Sequence, residues 1–154
     1  MVSARIATGA EQPINRHAAV AASKFSEGDL VGYDATGKLV PADADAASQV
    51  MAVGVAFAPV HDLADYSDES VKLTVEQNRA LINRERISYA VFGVEVENGD
   101  DDWDFTPGAP VYLASGGGYT QTAPATAGDL VQMVGVALTP ERIMVQVVPS
   151  ATTA

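Results

Sequence analysis

The sequence predicts an all-β protein, a small barrel or sandwich built from two similar strand–turn–strand units. One observation is a repeat: residues 27–42 and 49–56 have counterparts at 107–122 and 131–137. Gly28 aligns with Gly108, Val31 with Val111 and Gly37 with Gly117, and Gly54 aligns with Gly135 once a single residue is inserted. A second observation is alternation of apolar and polar residues, as at Val71, Leu73 and Val75, which suits half-buried strands. The third is the density of glycine turn signals between apolar runs too short for helices. A chain of this kind folds as many short strands.

The elements follow in order. Residues 1–16 mix small and polar residues with Pro13, and hold isolated apolar anchors at Ile6 and Ile14. They read as an N-terminal arm, either frayed or ordered only against a partner. The run at 18–25 suits one short helix by propensity, with a strand as the alternative, and it lacks a convincing cap. Leu30, Val31 and Tyr33 then enter a turn that starts at Asp34 and ends at Gly37, and Leu39 and Val40 return from it. A polar loop at 41–48 precedes a buried strand around Gly54.

The middle segment brings an acidic loop at 61–70, a strand at 71–76, and a stretch at 77–86 that is either a short helix or a hairpin. Residues 87–96 read as strand, with Gly93 marking a bulge or a close backbone approach. The second unit has its hairpin tip at Ser115–Gly118, a polar loop at 123–129 and a V-G-V-A strand at 130–138. An alternating strand at 143–148 closes the domain. One β domain over 17–149 is expected, between the arm and a tail at 150–154.

Composition limits the function classes. At 154 residues the chain suits a single domain. It has no Cys, which excludes disulfide frameworks, thiolate metal sites and cysteine nucleophiles. No apolar run reaches the ~18 residues of a membrane helix, and the N-terminus lacks the apolar core of a signal peptide. The net charge of −11, with Lys24, Lys38 and Lys72 as the lysines, argues against nucleic-acid binding and against docking on anionic lipid. An ordinary acidic protein and an adaptation to high salt both fit. Few lysines and small core residues favour the second, because at ~1 M salt screening shortens to ~3 Å and carboxylate repulsion costs little.

No reaction centre assembles. His17 and His61 are the histidines, and no G-x-S-x-G elbow accompanies them. His61 with Asp62, Asp65 and Asp68 reads as a solvated loop rather than a metal site. Residues 100–104 imitate the start of a calcium loop, but Phe105 and Val111 stand where Gly and Glu are required. The Ser115–Gly118 tip lacks the Lys-Ser/Thr of a phosphate loop. Glu95 and Glu97 share one strand face without a facing acid that the sequence identifies. No catalytic residue, cofactor or metal ligand is therefore expected. Trp103, alone in an acidic loop, is either an exposed interface anchor or a plug at one end of the core.

The repeated unit (G-D-x-V, a glycine turn, P-A, a polar loop, V-G-V-A) resembles the capsid cement, or head decoration, proteins of tailed viruses. It looks most like those with a small β-tulip domain. The matching stretches are residues 28–56 and 91–148, about two-thirds of the chain. The resemblance implies a structural protein of the virion, made in the host cytoplasm and bound to the outside of the head, with the major capsid protein as partner. It further implies a homotrimer and an arm that adds to capsid sheet. Arg5, Ile6, Ile14, Arg16 and Trp103 are the contact residues expected on that basis, and the charge points to a virus of a halophilic host. The long segment at 59–99 departs from the family pattern. Competing readings are a tail or fibre-base protein and a carbohydrate- or ligand-binding β module, for which the aromatics are too scattered.

Overall fold

The structure, a computed structural model, describes residues 4–9, 15–19, 25–57, 59, 86–98 and 102–154, with the backbone alone at 4–9, 15–19 and 86. The acidic loop with His61, the strand expected at 71–76, the ambiguous stretch at 77–85, and Ile14 and Asp100 lie outside these residues.

Strands account for the secondary structure: β1 (Ala4–Gly9), β2 (Asn15–Ala19), β3 (Leu30–Tyr33), β4 (Leu39–Pro41), β5 (Ala52–Ala56), β6 (Arg86–Ala90) and β7 (Phe92–Asn98). They continue as β8 (Pro110–Leu113), β9 (Tyr119–Thr120), β10 (Leu130–Val131), β11 (Met133–Thr139), β12 (Arg142–Gln146) and β13 (Thr152–Thr153). All ladders are antiparallel. One sheet runs β1-β7-β12-β11-β8-β9, a second β2-β6-β5-β3-β4, and β10 pairs with β13.

The all-β expectation holds, but no closed barrel forms. The short strands β4 and β9 edge the two sheets on one side, and β2 and β1 edge them on the other. The sheets instead stack over a shared core of Leu30, Ala52, Val55 and Ala90 from one, and Val94, Val96, Val111, Val134, Ile143 and Val145 from the other. Each fully buried Val or Ile there contributes on the order of 1.5–3 kcal/mol. No helix occurs among the described residues; of the stretch 18–25 that propensity favours as a short helix, Ala18 and Ala19 end β2, paired with β6, and 20–24 lie outside the described residues. At those two residues ladder hydrogen bonds outweigh a preference of a few tenths of a kcal/mol per residue.

Both chain ends join the sheets. β1 and β2 run antiparallel along 86–98, from Ala4 opposite Asn98 to Ala19 opposite Arg86. The described part of the expected arm, 4–9 and 15–16, is thus paired within the chain. In the expected tail, Thr152 and Thr153 pair with Val131 and Leu130. Residues 86–98 form one run that breaks at Val91 and serves both sheets, β6 in one and β7 in the other. Gly93 lies in the bulge expected of it, at φ 90°, a left-handed conformation that favours glycine.

The sequence repeat is a structural repeat, down to register. Val31 pairs with Gly54 and Val111 with Gly135; Leu30 pairs with Val55 and Pro110 with Val136. The same one-residue bulge follows in each ladder. Gly28 N–H donates to Ala56 O at 2.9 Å, and Gly108 N–H to Ala137 O at 2.8 Å. The hairpins match too, with Gly37 N–H to Asp34 O and Gly117 N–H to Ala114 O, each 3.0 Å. Their tips are held differently. Asp34 closes its own turn by accepting from Thr36 N–H, Lys38 N–H and the Thr36 hydroxyl. The second tip has Ala114 in that place and is held from outside, by the first unit.

Candidate functional site

Two regions remain once the sheets are formed: the seam where the units grip each other, and the outer face of the six-stranded sheet.

The seam is polar and nearly all its groups are satisfied. Asp43, in the first unit's loop, accepts from Gly116 N–H at 2.7 Å, from Asp45 N–H and from the Ser48 hydroxyl. Burial pushes its carboxyl up, but these three bonds outweigh it and hold the group below its ordinary value. Asp129, buried in the second unit, accepts from Ala46 N–H and from the Ser115 hydroxyl. Gln132, 1 % exposed, faces Ala52 like a second peptide group. It accepts from Ala52 N–H at 2.8 Å and donates to Ala52 O at 2.8 Å and to Val148 O at 2.9 Å.

Tyr119 completes the seam. Its buried hydroxyl donates to Gly28 O at 2.7 Å. Burial and, secondarily, the Asp29 charge hold the phenol well above its ordinary value, so it keeps its proton. Burial also raises Asp29, against a lowering hydrogen bond from Ser26 N–H. An acid raised in the folded state stabilises the fold while protonated. That contribution is lost as pH rises from the ordinary value of 3.8 through the raised one. Asp29→Asn should therefore melt higher than the parent at pH 7, with the gap closing below about pH 4. A gap that is constant with pH in thermal melts would show that the charge is not its cause.

The outer face of the six-stranded sheet has an apolar centre. Tyr112 stands opposite Met133, Pro110 opposite Val136, and Val136 opposite Met144. Phe92 adjoins Gln146. Phe92, Met133 and Met144 are 47 %, 39 % and 44 % exposed. One end of the face is charged: Arg142 meets Glu97 at 3.0 Å and Glu95 at 3.7 Å. Such exposed pairs stabilise by no more than ~1 kcal/mol, and they bind the two carboxylates to a cation rather than setting them across a cleft.

The residues singled out from sequence do not converge. The backbone register puts Arg5 and Ile6 of β1 opposite Glu97 and Val96, and Arg16 of β2 opposite Tyr89. Trp103 is a core plug, 7 % exposed, packed on Phe105 with centroids 4.9 Å apart and edge-on to Tyr119 at 5.3 Å. Its indole Nε1 makes no hydrogen bond. Asp102 accepts from Asn98 Nδ2. Among the described residues no group of His, Cys, Asp or Glu is placed to hold a metal ion, and no helix is long and apolar enough to cross a membrane. The Ser115–Gly118 tip is a hairpin, its three glycines at φ 85–88°. Beside it lies an open cleft of about 470 Å³ lined by Ser115, Thr120, Thr122, Thr126 and Asp129. No aromatic ring lines it for a sugar to stack on.

Sequence reasoning missed Gln132, Asp43 and Asp129, each of which has a partner more than seventy residues away. The outward methionines did leave a signal, since Met144 interrupts the alternation of Ile143, Val145 and Val147. No family model, no curated protein and no solved structure matches the chain.

Proposed function

We propose that this chain is a structural virion protein that decorates and cements the outside of an icosahedral head by binding the lattice of the major capsid protein. The observation that carries the reading is the duplicated unit. The motifs that resemble cement proteins are the ones that set the matched register, the paired glycine turns and the twin V-G-V-A strands. Two units locked by a buried polar seam make a stiff block, and stiffness suits a part whose modest contacts are multiplied over a lattice. The acidic composition suits a particle exterior that must stay hydrated in brine. The homotrimer implied by the resemblance belongs to this reading as an expectation, and no enzymatic step is part of it.

The test is co-sedimentation with undecorated, expanded heads of the virus that encodes the chain, in molar salt. Binding should saturate at a fixed ratio to major capsid protein and raise the temperature at which heads break. A few copies per particle would favour the tail or fibre-base reading. No binding at all would overturn the cement reading and favour a ligand-binding module.

A further inference from the structure

The two units are stacked head to tail, and this leaves one open end. In the first unit Val31, Leu39, Ala56 and Tyr89 lie with Phe25 and Ile87 in a second cluster, on the far face of the five-stranded sheet. Their counterparts Val111, Ala137 and Ile143 lie in the core between the sheets, with Tyr119 and Phe105 packed against it. The other face behaves in the same way. Leu30, Ala52, Val55 and Ala90 face the second sheet and are 0–2 % exposed. Their counterparts Pro110, Met133, Val136 and Met144 form the outer face described above. Equivalent faces therefore point the same way in both units. A face that is covered by a sheet in unit one is uncovered in unit two.

We infer that this outer face pairs with the same face of a second copy of the chain, across a twofold axis. Head-to-tail growth would require the far face of the five-stranded sheet to be open, and Phe25, Ile87 and Tyr89 there are 4–6 % exposed. With one end covered and one open, two open ends meet and the assembly closes as a dimer; a threefold ring would need this face to meet a different surface. Stacked arrays need a polar outer face on the terminal unit, and this one is apolar at its centre with Arg142, Glu95 and Glu97 at its end, the plan of an interface core and rim. Six strands ~4.8 Å apart and two to seven residues long give a footprint of roughly 500 Å² in projection. Corrugated by side chains, that reaches the range of small, weak interfaces, below ~1,200 Å² in total. Methionines adapt readily to such a partner.

The pairing is therefore concentration-dependent, and because each chain carries −11 it strengthens with salt. This inference does not depend on capsid binding; it departs from the homotrimer that the resemblance implies, and the measured mass decides between the two. Sedimentation equilibrium of the full chain, from millimolar to molar NaCl, should show twice the 16.0 kDa chain mass at high salt and a shift towards monomer at low salt. Met133→Glu and Met144→Glu, each checked for fold by circular dichroism, should weaken the dimer about a hundredfold or more. Met51→Glu, a comparably exposed methionine off this face, should leave it intact. In the parent protein at dimer-forming concentration, Met133 and Met144 should resist peroxide oxidation while Met51 does not. A monomer at every salt concentration, a trimer, or a dimer indifferent to the two variants would overturn the inference, and so would equal oxidation of all three methionines.

Discussion

Gly135→Ala should destabilise the protein by about 3 kcal/mol, the upper end of what overpacking typically costs, and Gly54→Ala should do the same. A Cβ on Gly135 would sit under 3 Å from the carbonyl oxygen of Met144, and one on Gly54 under 3 Å from Ala90 O and from the Tyr89 ring. Ala90 and Met144 are equivalent residues of the two units, so one backbone collision has shaped both V-G-V-A strands. The two carbonyl oxygens are main chain, part of the ladders that pair Gly135 with Val145 and Val55 with Ala90, and the Tyr89 ring adds a side-chain clash at Gly54. Relief therefore means moving a strand. Gly37→Ala is the contrasting substitution. Its φ is +78° but nothing lies within 4 Å, so its cost is conformational alone, about 1–2 kcal/mol. Urea unfolding in one fixed salt measures all three. A Gly135→Ala protein as stable as its parent would show that the β11–β12 spacing is looser than described.

Those glycines also show where sequence was a good guide. The repeat, the hairpins and the glycine in each V-G-V-A strand were legible because each is set by local geometry: a turn, a bulge, a close strand. The stacking was not. Val31 and Val111 sit in matching ladders, yet one faces the far cluster and the other the main core. Local pattern cannot say which face of a two-sided sheet meets which neighbour. Within the expected arm, 4–9 and 15–16 pair along a run that changes sheets at Val91, so no single period is imposed on the stretch. Trp103 lies in an acidic loop by sequence neighbours but over Tyr119 by fold. The seam was illegible for a plainer reason: Asp43, Asp129 and Gln132 act on groups far away in the chain, and a lone polar residue among apolar ones does not disclose its partner.

Gln132→Leu should cost about 2–4 kcal/mol, although it exchanges a polar side chain for an apolar one of similar size in a buried place. The reason lies in what it strands. Ala52 N–H and Ala52 C=O would each lose a partner, and a buried group without one costs ~1–3 kcal/mol, offset in part by the easier burial of leucine; Val148 C=O keeps Ser150 N–H. Gln132→Glu sharpens the comparison. A carboxylate still accepts from Ala52 N–H but donates to neither carbonyl, and it brings an unpaired charge into a site 1 % exposed. Its cost should exceed that of leucine at pH 7 and shrink as pH falls, because the protonated acid can donate again. Chemical denaturation at pH 7 and pH 5 separates the two. If both variants lost the same amount at both pH values, the loss would come from shape rather than hydrogen bonding. The tie between the sheets would then rest on the apolar core, and Gln132 would only fill space within it.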